Sequence, residues 1–500
     1  MADVRSITQR LDSLPLTGFL SISVHYWGLL FKAGLGWAFD AMDVFLFTYL
    51  GAATGGNGGW IKELQPTAHE KGLLGSASFA GSLFGSLIFG QLADVYGRKN
   101  MFAVTLLIFM AGTLLCGTAN DVGTMLAFRF IAGFGLGGEL PVASALVQEL
   151  VPTAVRGRII VILESFWSVG CMIAVLMGFE LVKHVSWRTV FYLSCIPAVW
   201  AIVIRLWVPE SPKWLASVGR TAEADAIVTK IEASHGVVSK SDGDKADVAA
   251  TSGDDAGWSA LNPLDRLCIL FRGEFLVRTI VLWTVWIGIA FSYYAIYVWL
   301  PVLRSKEKGG YNISGSTWEI FFIVFWQFPG YLSAAYLVEI IGRKITLVAY
   351  LFGSFVSALA FGYVENNQVN LLVTGAFMSW FMLGAWGALY AYTPENYPTA
   401  IRATGCSYPN GFSRIGAIAG PYVMPLMLDA KWSSTTIMWV AGGAPMIFVA
   451  LVLLAFGFET RGQDVEVCPR IEAYLKAKAG IAVPSKDTVA TPGPDNFEMK

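Results

Sequence analysis

Two carboxylates stand close together inside a long apolar stretch near the start of the chain. Asp40 and Asp43 are three positions apart, and on a helix this spacing places both side chains on one face. Two nearby carboxylates in a poorly solvated site resist double ionisation, so one of them can take up and release a proton near neutral pH. We interpret them as a proton-coupling or substrate-sensing pair. The alternative is that both bond neighbouring helices.

Other ionisable residues lie in later apolar stretches, where a charge is costly and faces a partner or a water-filled cavity. Arg129 precedes Glu139 by ten positions, and Glu164 follows in the next stretch. A guanidinium and a carboxylate lock together or separate according to protonation, which would link proton load to helix position. We interpret Glu139 and Glu164 as proton-coupling candidates and Arg129 as a substrate-binding candidate. A static ion-pair network is the alternative.

Arg414 is the only basic residue deep in the second half of the chain. An anionic substrate needs such a partner, and arginine can bind a carboxylate through two parallel hydrogen bonds. Aromatic and amide side chains of the same half could stack on a flat ring and bond its substituents. These substrate-binding candidates are Tyr293, Tyr294, Gln327, Trp386 and Tyr390. Pairing of Arg414 within the protein and plain packing of the aromatic rings are the alternatives.

The elements that position these residues are apolar windows long enough to cross a bilayer, which takes about 20 residues. Hydrophobic residues make up 55% of the 500, charged residues only 14%, and the mean hydropathy is +0.57. The sequence predicts an all-α membrane protein with about twelve spans, because the windows are apolar all round rather than alternating. The predicted spans are 30–52, 72–93, 101–119, 122–147, 159–181, 187–208, 277–300, 316–338, 344–363, 370–393, 403–428 and 434–457.

Composition also excludes several classes of function. The formal net charge of -1, without a stripe of Lys and Arg, gives no support for a nucleic-acid partner. The six cysteines are scattered without a C-x-x-C pair, so neither a metal site nor a disulfide framework is expected. No cofactor is expected either. We find no nucleophile with a base that would indicate a membrane enzyme.

Two loops recur at almost the same interval. GQLADVYGRK ends at Lys99 and AYLVEIIGRK at Lys344, which are 245 positions apart, and the arginines of ELVPTAVR and ENYPTAIR, Arg156 and Arg402, are 246 apart. Two loops at one spacing indicate a duplicated half. Six spans separate equivalent positions, so both copies enter the membrane in the same orientation, as a parallel repeat.

Domain limits and topology follow from this repeat. We expect a segment at 1–29, a six-helix bundle at 30–208, a partly disordered central loop at 209–275, a second bundle at 276–460 and a tail at 461–500. Basic residues of the short loops are nearly balanced between the two sides. Those in the tails and around the central loop break the tie, which predicts that both termini are cytoplasmic.

The loop GQLADVYGRK resembles the signature of the major facilitator superfamily, and PESPKWL and FETRG resemble marks found in its sugar porters. FDAMDV, GLGGELPVAS and LESFWSVG are similar to the niacin transporter branch, near the aromatic acid/proton symporters and the synaptic-vesicle-protein relatives. The second signature loop departs from the pattern, with Ala335 in place of its first glycine and Glu339 in place of its aspartate.

The resemblance implies two six-helix bundles that alternate access to a site between them. It assigns gating roles at the cytoplasmic ends of the bundles to Asp94, Gly97, Arg98, Arg156, Glu339, Arg343 and Arg402. We therefore expect a monomeric transporter of the cell membrane that takes up a small aromatic or heterocyclic monocarboxylate, such as nicotinate, with protons. A sugar or organic-cation transporter is the first alternative, and a transporter-like receptor that binds its solute without moving it is the second.

Overall fold

The computed structural model describes residues 4–15, 22–53, 59–196, 209–235, 237, 263–301, 317–364, 367–397 and 399–461. Within these ranges the chain is helical and contains no strand, which confirms the all-α prediction. The side chains of Asp94, Arg156 and Arg402 lie outside the described part, and so does the centre of the loop between the two halves.

Long helices follow one another along the chain and are numbered here in that order. The first half contains α1 (Val24–Ala52), α2 (Ala68–Tyr96), α3 (Arg98–Cys116), α4 (Val122–Leu150), α5 (Thr153–Val175, extended by a π turn Leu176–Glu180) and α6 (187–196). The second half contains α7 (Glu274–Val298), α8 (Thr317–Phe325 and Gln327–Ile341), α9 (Arg343–Tyr363), α10 (Gln368–Glu395), α11 (Thr399–Asp429) and α12 (Ser434–Met438 and Ala444–Phe456, joined by a π turn Trp439–Gly443).

Eight of these helices are long and apolar enough to cross a membrane in the part of the chain that is described. The other long helices, α1, α4 and α11, carry all but one of the buried ionisable residues that the sequence singled out, and the remaining one, Glu164, lies on α5. The predicted sixth span is described only as far as residue 196. The end of α2 and the start of α3 lie at one membrane face, which we call the signature face. The other membrane face is called the opposite face.

Helix packing repeats after six helices. The contacts α1–α5, α2–α4 and α3–α4 of the first half recur as α7–α11, α8–α10 and α9–α10 in the second. The most extensive contacts between the halves, α2 with α11 and α5 with α8, are also exchanged by a shift of six. The duplicated half predicted from the loops is therefore visible in the packing.

Glycines allow α2 and α4 to approach closely. A Cβ atom on Gly133 would lie 1.9 Å from the carbonyl oxygen of Ser78, and one on Gly137 would lie 2.0 Å from that of Ser82. Small residues at such a crossing let backbones pack in the absence of a hydrophobic force between helices. The glycine-rich run of α4 therefore serves helix packing.

Trp60–Leu64 and Pro263–Leu270 are short helices next to the bundles, and three more short helices pack together: Val4–Asp12, Pro212–Ser217 and Thr221–Ser234. Arg10 of the first donates two hydrogen bonds of 2.8 Å to Glu232 and one of 3.0 Å to Asp225, both on the last of them. Ser23, which caps α1, bonds His235 at 2.7 Å. The amino-terminal segment and the start of the central loop are therefore tied to one another.

Candidate functional site

A small cavity lies between the two halves. Helices α1 and α5 contribute its wall on one side and α7, α8, α10 and α11 on the other. Its lining is Trp37, Glu164, Trp167, Tyr293, Tyr294, Tyr331, Leu383, Trp386, Tyr390, Asn410, Ser413 and Arg414. Aromatic walls with a few convergent polar groups are typical of small-molecule sites.

The cavity contains one cation and one carboxylate among the described residues. Arg414 is 5% exposed, and its Nε has no hydrogen-bond partner in the described part of the chain. Glu164 is 4% exposed, and its carboxylate accepts a hydrogen bond of 3.3 Å from Trp37 Nε1. An unpaired donor on a buried guanidinium costs free energy unless another group completes it, and a bound carboxylate can do so.

Rings enclose these two charges. The four aromatic residues predicted to bind substrate all line the cavity: Tyr293, Tyr294, Trp386 and Tyr390. Trp167 Nε1 of α5 donates a hydrogen bond of 2.8 Å to the Tyr293 hydroxyl of α7, so the wall is bonded across the two halves. The free Nε1 of Trp386 has no partner among the described residues. The cavity thus offers ring faces together with N–H donors, which suits a flat, polar ring.

Gln327, the fifth candidate of this set, does not line the cavity. It is fully buried in α8, directly after the break at Trp326, and both polar atoms of its amide lack a partner within the described residues. Tyr331 lies one helical turn further along the same face of α8 and does line the cavity. On this helix the structure thus places Tyr331, and not Gln327, in the cavity wall.

Asp43 and Arg129 form a separate ion pair inside the first half. Arg129 Nη1 lies 2.9 Å from Asp43 Oδ2, and Thr113 donates a hydrogen bond of 2.9 Å to Oδ1. The guanidinium also lies 4.4 Å from the ring centre of Phe47. Arg129 and Asp43 are 2% and 1% exposed. Arg129, predicted to bind substrate, is thus placed on Asp43 and away from the central cavity, whose lining includes neither residue.

Two other proton-coupling candidates are also buried away from the cavity. Asp40 on α1 and Glu139 on α4 are each 1% exposed, and neither belongs to the cavity lining. Of the four predicted acidic candidates, only Glu164 therefore reaches the central cavity. The other three lie within the first half.

Matching clusters of ionisable residues occupy the signature face of the two halves. Gly97 and Gly342 both have φ of 95°, a conformation that favours glycine, and each ends one helix and begins the next. Arg98 then lies 3.5 Å from Glu149, and Arg343 lies 2.9 Å from Glu395. Glu339, a further predicted gate residue, is exposed on α8.

A second acidic residue completes each cluster. Glu210 accepts a hydrogen bond of 3.2 Å from the backbone N–H of Lys99, and Glu459 accepts one of 3.0 Å from that of Arg343. Each carboxylate thus binds the amino-terminal end of a helix, where free N–H groups and the helix dipole favour negative charge. None of these four acidic partners was singled out from the sequence. The signal was present, since Glu149 and Glu395 begin the repeated ELVPTAVR and ENYPTAIR segments.

The sequence profile of the family described as "Sugar (and other) transporter" matches residues 45–471. This chain belongs to that family of major facilitator transporters. It is a multi-pass membrane transporter, not an enzyme, and it has the twelve-helix fold of two parallel six-helix bundles.

Individual relatives also carry the names of transporters. The transporter is 38% identical to the "Niacin transporter NiaP" of Acinetobacter baylyi over 466 residues, which cover 92% of this chain and 99% of that protein. It is 36% identical to the "Putative niacin/nicotinamide transporter NiaP" of Bacillus subtilis, with coverage of 88% and 97%. Among solved structures, the partially occluded inward open xylose transporter XylE from E. coli aligns with a TM-score of 0.69 at 16% identity, covering 88% of this chain and all of that one.

Proposed function

We propose that this transporter takes up a small aromatic or heterocyclic monocarboxylate, nicotinate-like in size, together with protons. The observation that carries the proposal is Arg414, whose Nε is free in a cavity walled by aromatic rings from both halves. A carboxylate would pair with the guanidinium while its ring stacks between tyrosine and tryptophan faces. The names of the relatives that transport niacin support the same class of substrate.

Charge balance in the cavity supports coupling to protons. Arg414 and Glu164 together carry no net charge when both are ionised, so an entering carboxylate would leave one uncompensated negative charge in a buried site. A proton on Glu164 removes that charge, and substrate and proton then bind together. Asp43 with Arg129 provides a second place where protonation would break an ion pair and loosen the contact between α1 and α4.

Movement would follow the alternating-access scheme, with bundles at 30–208 and 276–460 rocking about the cavity. The clusters of Arg98 with Glu149 and of Arg343 with Glu395 would act as state-dependent gates on the signature face, joined by Asp94, Arg156, Glu339 and Arg402. We place that face and both termini in the cytoplasm, in the cell membrane. We propose a monomer as the unit of transport, since helices of both halves of one chain line the cavity.

Competition uptake in cells or proteoliposomes tests the proposal. Labelled nicotinate is offered with and without an inward proton gradient, against unlabelled nicotinate, benzoate, a hexose and an organic cation. We expect competition by the two acids and faster uptake with the gradient. Uptake that is blocked by the hexose alone, or that ignores the gradient, would contradict the proposal.

An organic cation is the second candidate, and Glu164 is the observation that favours it. A buried carboxylate surrounded by the rings of Trp37, Trp167 and Trp386 could hold a cation by charge and by cation–π contact. The "Organic cation/carnitine transporter 7" of Arabidopsis thaliana is 27% identical over 91% of this chain. The organic-cation arm of the same competition experiment separates the two candidates.

A further inference from the structure

Hydrogen bonds join the two halves at the opposite face, beyond the central cavity. The Thr317 hydroxyl, 2% exposed at the first residue of α8, donates to the Glu180 carboxylate at the end of α5. Glu180 is held in place by Lys183, whose Nζ lies 2.8 Å from both of its oxygens. This contact ties the second half to the first where α5 and α8 leave the membrane.

A corresponding contact lies at the other interface between the halves. The Tyr422 hydroxyl of α11 bonds His69 Nδ1 of α2 at 3.0 Å, with the two rings packed edge to face. One to two turns deeper, Ser76 donates a hydrogen bond of 2.6 Å to the carbonyl oxygen of Ile418. The interface between α2 and α11 is thus closed at the same face.

The two contacts occupy related positions in the repeat. His69 and Thr317 stand at the amino-terminal ends of α2 and α8, which correspond after a shift of six helices. Their partners Tyr422 and Glu180 stand towards the carboxyl-terminal ends of α11 and α5, which correspond in the same way. A symmetric pair of bonds, one at each interface, is the arrangement needed to hold two bundles shut at one face.

We propose that Thr317–Glu180 and Tyr422–His69 form the outer gate of this transporter, and that both bonds must break before the cavity opens to the opposite face. The proposal rests on the alternating access proposed above. It requires no particular substrate. Removing one bond should raise the population of the state that is open to the opposite face, because the closed state loses a bond that the open state does not contain.

A native cysteine reports this opening. Cys171 on α5 is 1% exposed, and its sulfur lies 4.0 Å from the Tyr293 hydroxyl of the other half. It stands nine residues before Glu180, roughly 13 Å along the helix, between the outer gate and the cavity. When the halves separate at the opposite face, its thiol becomes reachable from that side.

The experiment keeps Cys171 and replaces the other five cysteines by alanine. A small membrane-impermeant thiosulfonate reagent is added outside intact cells without substrate, and the rate of Cys171 modification is measured. Val369→Cys, at an exposed position on the same face, confirms the sidedness of labelling. We expect Thr317→Val to label about tenfold faster than the parent or more, from the loss of one hydrogen bond to a carboxylate, and Tyr422→Phe to label faster as well.

Matched variants separate gating from general loosening. Thr435→Val removes a threonine hydroxyl that bonds Gly362 within the second half at the same face, and it should label at the parent rate. Thr317→Ser keeps the hydroxyl and should also behave like the parent. Glu180→Ala removes the acceptor instead of the donor, and serves if Thr317→Val does not fold.

The proposal is overturned if Thr317→Val and Glu180→Ala, when folded, label Cys171 within twofold of the parent, or if Thr435→Val accelerates labelling equally. These readouts need no substrate, so they are independent of the nicotinate hypothesis. A failure of proton-driven nicotinate uptake would leave the labelling result intact, and a failure of labelling would leave the uptake result intact.

Discussion

Variants of the buried Asp43–Arg129 ion pair should separate its contribution to stability from its role in coupling transport to protons. Asp43→Asn keeps the shape of the side chain and can still accept a hydrogen bond from Thr113, but it removes the charge that faces Arg129. Arg129→Met removes the cation and leaves the carboxylate. The double variant Asp43→Asn, Arg129→Met removes both charges.

The expected magnitudes follow from burial. Both side chains are at most 2% exposed, so each single variant leaves one buried charge without its partner, which costs about 3 to 5 kcal/mol. Asp43→Asn should cost less than Arg129→Met, because the remaining guanidinium keeps its contact with the Phe47 ring, worth about 1 to 2 kcal/mol. The double variant should recover most of the loss, since no uncompensated charge remains.

Thermal unfolding in detergent measures this cycle, and proton-driven uptake in proteoliposomes measures coupling in the same four proteins. We expect both single variants to melt well below the parent, the double variant to melt close to it, and none of the three to accumulate substrate under a pH gradient. Two results would refute the reasoning: an additive double variant, or Asp43→Asn protein that still accumulates substrate against its gradient.

Three further outcomes are expected. Glu459→Gln removes the negative charge at the start of α9 and should lower the free energy of unfolding by about 1 kcal/mol. Glu210→Gln in the distant equivalent cluster should have a similar effect, and the two losses should add in the double variant. A double variant whose loss is not the sum would contradict independent clusters. Gln327→Leu removes two unpartnered amide atoms and should raise the melting temperature; a large fall would mean that the amide is bonded in the folded protein. The His25 side chain is exposed at the start of α1, and partial desolvation together with the charges of His235 and Lys32 lowers its pKa, so the fold favours its neutral form. That contribution is present above the unfolded pKa and is lost as pH falls, and solvent screening keeps it small. The melting temperature should therefore drop slightly between pH 7.5 and 5.5, and less so in His25→Gln; an equal drop in both proteins would contradict this assignment.

Much of the fold is predictable from the sequence because the bilayer constrains it. Backbone groups in lipid must be bonded within helices, so apolar windows predict the spans, and loops repeated 245 and 246 positions apart predict the duplicated packing. The equivalence of Arg98 and Arg343 was also predictable, because both lie in the repeated loops, and each forms an ion pair with an acidic residue at an equivalent place.

Assignments within the membrane were harder. Each span is apolar on all of its faces, so the periodicity of hydrophobic residues does not indicate which face of α4 packs against α1 or faces the cavity. Arg129 was predicted to bind substrate, whereas its partner Asp43 lies three helices earlier in the chain. For the same reason Trp37, which bonds Glu164 in the cavity, gave no signal beyond being aromatic. Tertiary pairing of distant spans decides these roles.

The central claim is that Arg414 binds the carboxylate of an aromatic substrate, and equilibrium binding of nicotinate tests it most directly. Purified Arg414→Gln and Arg414→Lys proteins are compared with the parent by calorimetry. The account predicts a Kd raised about 10- to 100-fold in Arg414→Gln, from the loss of a charge-assisted hydrogen bond worth about 1.5 to 3 kcal/mol, and a smaller rise in Arg414→Lys. Parent-like affinity of folded Arg414→Gln protein for nicotinate would contradict it.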